Sequence, residues 1–350
     1  MRAEGCAWGV IALTMSACTA ITNVDRFSFG ETDAGPSEDG GRDAGPGPDA
    51  GDAGDPSDAG PPPDAGPSDG GVSDLPMLEA NAPGDATTPA VPDLSCLGAR
   101  TGPIAGPTVD FDVRVDEFLG AARGDGLTVE IFAGNALPAD LTCGPGCARS
   151  VASGEALVSL SGMEGSWFAW RVLPRGGSTP EERTVLTWQV NEVVPAMSEA
   201  QQIYFWTESG MESVRSSFTG ATRAGTDIIA GTVTDCADNE LIHAEIRVFD
   251  DSGRVITGDG AADGHFAALR LDPFGWDGTI QLTVAGGNYA YGNVRPSGSG
   301  RVRVEAWGRP AADGPEVMLS CEEAVLYGNG LLVLNLGPTR SDGPSDCSGS

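Results

Sequence analysis

The side chains that could do chemistry in this chain are few and scattered. Only two histidines are present, His243 and His265, and each lies in a short polar stretch typical of a turn rather than of a catalytic base. The sequence contains no Gly-x-Ser-x-Gly elbow, no His-Glu-x-x-His zinc motif and no phosphate-binding glycine loop. We therefore expect no enzymatic activity and no cofactor.

Eight cysteines are the most reactive groups that remain. Two of them, Cys6 and Cys18, belong to the N-terminal signal segment, and the other six form an even set, which predicts three disulfides in an exported protein. Paired Cys-x₂-Cys spacing is lacking, which argues against zinc. The pairs that we favour are Cys236–Cys321, Cys143–Cys147 and Cys96–Cys347.

Three sets of side chains are candidates for binding a ligand. Four aspartates within fourteen residues could ligate Ca²⁺ through oxygen, although solvation of a loop also explains them: Asp250, Asp251, Asp259 and Asp263. Three aromatic residues of the second half would suit a glycan if exposed: Trp276, Tyr289 and Tyr291. A further aromatic set could stack on sugars but is better explained as core: Trp167, Phe168, Trp170 and Trp188.

Residues 1–18 have the features of an export signal. Arg2 precedes an apolar stretch that ends at Met15, and Ser16-Ala17-Cys18 follows. This arrangement resembles the lipobox of bacterial lipoproteins, which implies that Cys18 is lipidated, anchors the chain to the membrane and becomes the mature N-terminus. Thr19 after that cysteine is similar to the choice that sorts lipoproteins to the outer membrane. The alternative is an ordinary secretory signal cleaved nearby.

Residues 19–93 have the composition of a disordered acidic linker. Asp-Ala-Gly recurs six times from Asp33 to Asp64 between prolines, so almost no side chain can be buried to offset the ordering entropy. The segment holds 16 acidic residues and two arginines, hence −14 of the formal −30. This balance excludes nucleic acid as a partner. A Ca²⁺-binding β-roll is disfavoured because the strict nonapeptide period is missing.

Residues 94–222 predict a first β-sandwich. Val109, Phe111, Val113 and Val115 alternate with polar residues over a full strand length. Comparable short runs follow, most of them bounded by Gly or Pro, and the region from Met197 to Phe218 has weak helical character. Several short strands at this spacing are typical of a sandwich.

Residues 223–340 predict a second β-sandwich, followed by a tail at 341–350. A Gly231-x-Val233 strand, a strand from Ala244 to Val248 and an Asp263-Gly-His-Phe266 turn resemble the carboxypeptidase regulatory-like (transthyretin-like) domain. The stretch from Arg301 to Gly308, in which Val302, Val304 and Ala306 form one apolar face, belongs to a wider pattern similar to uncharacterised two-module lipoproteins of myxobacteria. These resemblances imply a fold and a location. They do not indicate any activity.

Together these features predict an all-β protein with two β-sandwich modules after a disordered Asp/Ala/Gly/Pro-rich tether. The first functional hypothesis is a non-enzymatic cell-envelope lipoprotein whose lipid-anchored tether presents interaction or scaffolding modules, with an envelope protein as partner. The second is a surface module that binds a glycan.

Overall fold

The computed structural model describes residues 75–81, 89–97, 108–118, 123–133, 142–153, 155–163, 167–193, 201–216, 218, 225–256, 265–271, 274–278, 281–295 and 298–337. The strands within them are β1 (Glu79–Asn81), β2 (Pro89–Ala90), β3 (Thr108–Glu117), β4 (Thr128–Ala133), β5 (Ala148–Ser150), β6 (Glu155–Met163), β7 (Trp167–Val172), β8 (Leu186–Val193), β9 (Gln201–Phe205), β10 (Asp227–Thr232), β11 (Glu240–Ile242), β12 (Glu245–Asp250), β13 (His265–Leu271), β14 (Phe274–Asp277), β15 (Asn288–Val294), β16 (Arg301–Gly308), β17 (Val317–Val325) and β18 (Gly330–Val333). One helix, α1 (Glu208–Arg215), interrupts them in the described residues.

The all-β class is confirmed, and a nine-stranded sheet is its centre. The strand order in this sheet is β14-β13-β15-β10-β18-β8-β7-β4-β5. Two three-stranded sheets, β6-β3-β9 and β12-β16-β17, and a short sheet β11-β1-β2 complete the described strands. The central sheet draws strands from both predicted modules, so the boundary expected at residue 222 does not separate two sheets.

The first sandwich packs β6-β3-β9 against the β8-β7-β4-β5 half of the central sheet. On β3 the side chains of Val113 and Val115 are buried and those of Asp112 and Arg114 are exposed, which is the predicted alternation. The cluster beneath them includes Trp170 of β7, which is fully buried. The core interpretation of the aromatic residues is thereby confirmed for Phe168, Trp170 and Trp188.

The second sandwich packs β12-β16-β17 against the other half of the central sheet. Its β16 buries Val302, Val304 and Ala306, as the sequence predicted. These side chains share one cluster with Ile229 of β10 and Leu332 of β18. In the first sandwich, Val113, Val115 and Trp170 pack in a separate cluster. Trp188 and Val190 of β8 belong instead to the cluster of the second sandwich, so part of the core is shared between the two halves.

Strand β18 joins the two halves of the central sheet. It comes from the C-terminal end of the described chain, yet it lies between β10 and β8 and runs parallel to both. Gly330 pairs with Leu186 at the start of this strand, and Leu332 pairs with Trp188. The fold of the first half is therefore completed by residues that follow the second half in the sequence.

The helix α1 covers the central sheet where β10, β13, β15 and β18 lie. Thr207 caps its N-terminus by accepting a hydrogen bond from the Gly210 N–H, 3.1 Å away. Met211 and Val214 are buried against the sheet. Of the range Met197 to Phe218, for which helical character was predicted, residues Glu208–Arg215 form the helix. The earlier residues Gln201–Phe205 form strand β9 instead.

Candidate functional site

The first described residues form a structure that we call the N-terminal clamp, defined as residues 75–81 and 89–97 together with residues 233–243, which contain a turn and strand β11. β1 pairs antiparallel with β11 in the register Ala80↔Leu241, and β2 pairs with the other edge of β1. Leu78 and Ala80 are buried in the core of the second sandwich. Residues 75–81 and 89–93, which were expected in the linker, are therefore part of the fold. Their few apolar side chains are buried against the second sandwich.

A disulfide closes the clamp. Cys96 is bonded to Cys236, 140 residues away, with a Cα–Cα distance of 5.7 Å. Backbone hydrogen bonds flank the bond, since the Cys236 N–H donates to the Asp93 carbonyl over 2.8 Å and the Asp93 N–H donates to Asp235 Oδ2 over 2.8 Å. The segment after the predicted tether is thus fixed to the second sandwich covalently as well as by strand pairing.

Asp235 organises the turn on the other side of the clamp. Its carboxylate is 1% exposed and accepts hydrogen bonds from the backbone N–H groups of Ala237, at 2.9 Å, and Asn239, at 2.8 Å. At the far end of the turn, His243 has a left-handed φ of 69°, and its Nδ1 lies 2.9 Å from the Met77 carbonyl oxygen. This histidine holds the N-terminal segment in place, which is a structural role.

Two of the three predicted disulfides are wrong in their pairing. Cys143–Cys147 is confirmed. Cys236–Cys321 and Cys96–Cys347 are excluded because Cys96 and Cys236 are bonded to each other. The physical reason is the folded N-terminal segment, which brings Cys96 to the turn before β11, whereas Cys321 lies on β17 opposite Glu305. Cys321 is also disulfide-bonded, and Cys347 lies outside the described residues.

The tyrosines proposed for glycan binding belong to the core. Tyr289 is fully buried and donates its hydroxyl to the Leu334 carbonyl oxygen at 2.7 Å, and burial raises the pKa of that hydroxyl. Tyr291 is 6% exposed and donates to the Ile256 carbonyl oxygen. Both predictions are corrected, because β15 is covered on its two faces. Trp276 lies in β14 and its side chain is outside the described residues, so its role stays a prediction.

The aspartates proposed for calcium have other partners where they are described. Asp250 Oδ1 accepts hydrogen bonds from the Ser252 hydroxyl and from the backbone N–H groups of Ser252 and Arg254, and these bonds, the Ser252 hydroxyl first, lower the pKa of Asp250 to about 2. Asp251 Oδ2 accepts from the Ser299 N–H at 3.0 Å. The described residues contain no group of three or more potential metal ligands, and the calcium interpretation of the four aspartates stays a prediction. Asp259 and Asp263 lie outside the described residues.

An arginine–aromatic face, defined as Arg247, Phe249, Arg303, Glu305 and Trp307, covers the outer side of the β12-β16-β17 sheet. Arg247 lies 4.7 Å above the Trp307 ring centroid and Arg303 lies 4.5 Å above that of Phe249. Glu305, 2% exposed, accepts a hydrogen bond from Trp307 Nε1 at 2.7 Å and pairs with Arg303 at 2.9 Å. Sequence reasoning missed this face, although its members recur at every second residue.

A second feature that sequence reasoning missed is the buried carboxylate of Asp227. It accepts three backbone N–H groups, from Tyr327 at 3.0 Å and from Gly328 and Gly330 at 2.7 Å each. Burial raises its pKa to about 6, although these hydrogen bonds and the charge of Arg215 oppose the shift. Asp227 thereby fixes the turn from which β18 enters the central sheet.

The predicted anchor lies elsewhere: Cys18 is outside the described residues. Within the part of the chain that the structure describes, no helix is both long enough and apolar enough to cross a membrane.

Comparisons with known proteins give little support for any function. No family model matches the chain, and no curated protein matches it. The shaft pilin SpaA from Lactobacillus rhamnosus GG is similar at 8% identity over 66% of this chain and 98% of the pilin, with a TM-score of 0.19. A streptococcal ancillary pilin is similar at 10% identity over 65% of this chain and 68% of the pilin, with a TM-score of 0.18. Likenesses this low carry no argument, and the comparisons indicate no enzyme family.

Proposed function

We propose that this protein is a non-enzymatic lipoprotein of the cell envelope, in which a lipid on Cys18 anchors the chain and the acidic linker presents the two sandwiches to a partner. The second sandwich, in this proposal, is related to the carboxypeptidase regulatory-like domain. The partner is an envelope protein. The proposal brings together the lipobox-like segment, the linker composition and the all-β fold.

The N-terminal clamp is the observation that carries this proposal. A domain held on a tether needs its first folded residues fastened, because any pull on the tether acts there first. Here β1 pairs with β11, and the Cys96–Cys236 bond closes a loop of 140 residues. Such a disulfide also suits an oxidising compartment outside the cytoplasm.

The anchoring step is tested by Cys18→Ala. We expect the variant to move from the membrane fraction to the soluble fraction after cell lysis and salt washing, since three acyl chains contribute ~0.8 kcal/mol per buried CH₂ to membrane binding. Cys6→Ala is the matched control, because Cys6 belongs to the same signal segment but precedes the lipobox. Mass analysis of the mature wild-type N-terminus should give a lipid-modified residue 18.

Two results would contradict the proposal. Membrane retention of Cys18→Ala at the wild-type level would remove the lipid anchor. A mature wild-type chain that begins at another residue, without added lipid mass, would support the ordinary secretory signal instead.

A further inference from the structure

The Cys96–Cys236 bond closes a large loop of the chain that contains the first sandwich. The two cysteines are 140 residues apart in the sequence. Every described strand of the first sandwich lies between them, from β3, which begins at Thr108, to β9, which ends at Phe205, and so does the helix α1. A pull that enters the chain before Cys96 therefore meets the bond before it meets any of these elements.

The bond offers this pull a much shorter covalent path than the backbone does. Across the bond the two Cα atoms are 5.7 Å apart. The backbone between the two cysteines measures ~500 Å when it is extended. Where two covalent paths join the same two points, the shorter path becomes taut first and the longer path stays slack. Tension along the chain consequently crosses at the disulfide.

The strands of the clamp lie in series with the bond, on the side from which the linker enters. The Leu78 N–H donates to the Arg309 carbonyl oxygen over 2.8 Å, and β1 pairs with β11 over three residue pairs. These contacts come before Cys96 in the chain, so a pull breaks them first. Residues 75–96 then extend by at most ~75 Å, and the covalent bond stops the extension.

Hydrogen bonds hold the receiving cysteine to the second sandwich. The Cys236 N–H donates to the Asp93 carbonyl oxygen over 2.8 Å, and the buried carboxylate of Asp235 accepts from the Asp93 N–H over 2.8 Å. The neighbouring Thr234 N–H donates to the carbonyl oxygen of Leu336, which follows β18, over 2.8 Å. Tension that reaches Cys236 therefore passes along the chain into β11 and β12, both of which belong to the second half of the fold.

We propose that the Cys96–Cys236 bond is a covalent bypass for tension: a pull through the linker crosses from Cys96 to Cys236, is carried by the second sandwich and leaves residues 97–235 without load. The inference rests on the proposed function in one respect, since the linker is what transmits the pull. It gives the two halves different mechanical roles. The clamp and the second sandwich bear the tension, and the backbone of the first sandwich bears none of it.

The bypass is tested by single-molecule stretching of the full chain. One peptide tag directly after Cys18 and one at the C-terminus couple the protein to the two handles, in detergent and without reductant. We expect the total gain in contour length to be ~500 Å shorter for the wild type than for Cys96→Ser/Cys236→Ser. Cys143→Ser/Cys147→Ser is the matched control, because it removes a bond inside the bypassed residues and should give the wild-type gain.

A measurement on the wild type alone covers the case in which Cys96→Ser/Cys236→Ser does not fold. Dithiothreitol added to a stretched wild-type molecule should reduce the bond and release a further ~500 Å in one step. A step of this size should also occur in Cys143→Ser/Cys147→Ser and be absent from Cys96→Ser/Cys236→Ser.

Two results would overturn the bypass. One is an equal total gain for the wild type and Cys96→Ser/Cys236→Ser, and the other is a wild-type molecule that does not lengthen on reduction. Neither measurement depends on the lipid. A chain without lipid on Cys18 that shows the shortened gain would therefore remove the proposed function and leave the bypass standing, whereas a lipidated chain with equal gains would remove the bypass alone.

Discussion

The two sandwiches share one sheet but are fastened over different distances in the sequence. The first contains the Cys143–Cys147 bond, which spans four residues, and the Glu130–Arg171 ion pair between neighbouring strands. The second is held by Cys96–Cys236, which spans 140 residues, and by Asp227, whose partner Gly330 is 103 residues away.

This difference indicates where the fold is vulnerable. Local links constrain only a few residues of the unfolded chain, so the first sandwich depends on packing of its apolar core. Long-range links restrict the unfolded chain strongly and bring together segments that strand propensity alone would not join. We therefore expect the largest losses of stability when the long-range links of the second sandwich are broken.

The largest expected effect comes from removing the clamp disulfide. Replacing Cys96 and Cys236 together by Ser should lower the free energy of unfolding by ~5 kcal/mol in the chain-entropy relation, whereas replacing Cys143 and Cys147 together should cost ~2 kcal/mol. Urea denaturation of the two double variants measures the two values. Each variant replaces both cysteines of one bond, so neither leaves an unpaired thiol behind. Equal losses, or a greater loss for the local pair, would contradict the contrast between the sandwiches.

Local patterns in the sequence were enough to predict part of this fold. The alternation of Val113 and Val115, and of Val302 and Val304, identifies one apolar side per strand, and both predictions hold. The Cys143–Cys147 bond was predicted from the close spacing of the two cysteines across a Gly-Pro-Gly turn, and the structure contains it. Each of these features depends on neighbours in the sequence.

The remaining features depend on partners that are distant in the sequence. The burial of Tyr289 and Tyr291 was missed because β15 is covered on both faces, and such a strand lacks alternation. The clamp was missed because the few apolar residues near Leu78 stand among acidic ones. Strand β18 was not expected beside β8, since nothing in the sequence near Gly330 indicates a parallel partner.

The second expected effect is a pH dependence that contrasts two aspartates. Asp227 has a pKa of about 6 in the folded protein against an ordinary value of 3.8. Between these values the folded state holds a proton that the unfolded state has released, so stability falls as the pH rises from 3.8 to 6, by up to ~3 kcal/mol. Asp250 behaves in the opposite way, because its lowered pKa of about 2 means that stability is lost as the pH falls below 3.8.

Asp227→Asn isolates the contribution of the first carboxylate, since the amide does not titrate. The stability of the wild type relative to this variant, from urea denaturation, should be greater at pH 4 than at pH 7. Asp250→Asn is the matched control, and for it the wild-type advantage should shrink when the pH is lowered from 4 toward 2. A wild-type advantage over Asp227→Asn that is constant with pH would contradict the inferred cost of burying this charge.

The smallest of the three effects tests the joint between the halves. A Cβ added at Gly330 would lie 2.5 Å from a ring carbon of Trp188 and 2.8 Å from the Leu186 carbonyl oxygen, so Gly330→Ala forces β18 away from β8. We expect a loss of ~2 kcal/mol, in the range of other overpacked cores. Gly144→Ala, where nothing lies within 4 Å, should change stability by less than ~0.5 kcal/mol.

The shape of the unfolding curve is more informative than its midpoint. Because β18 pairs with β10 on one side and β8 on the other, loosening it weakens the connection through which the two halves unfold together. Gly330→Ala should therefore separate the single urea transition into two, or lower its apparent m value. An unbroken, equally steep transition would mean that the halves are coupled through the helix α1 and the shared core rather than through β18.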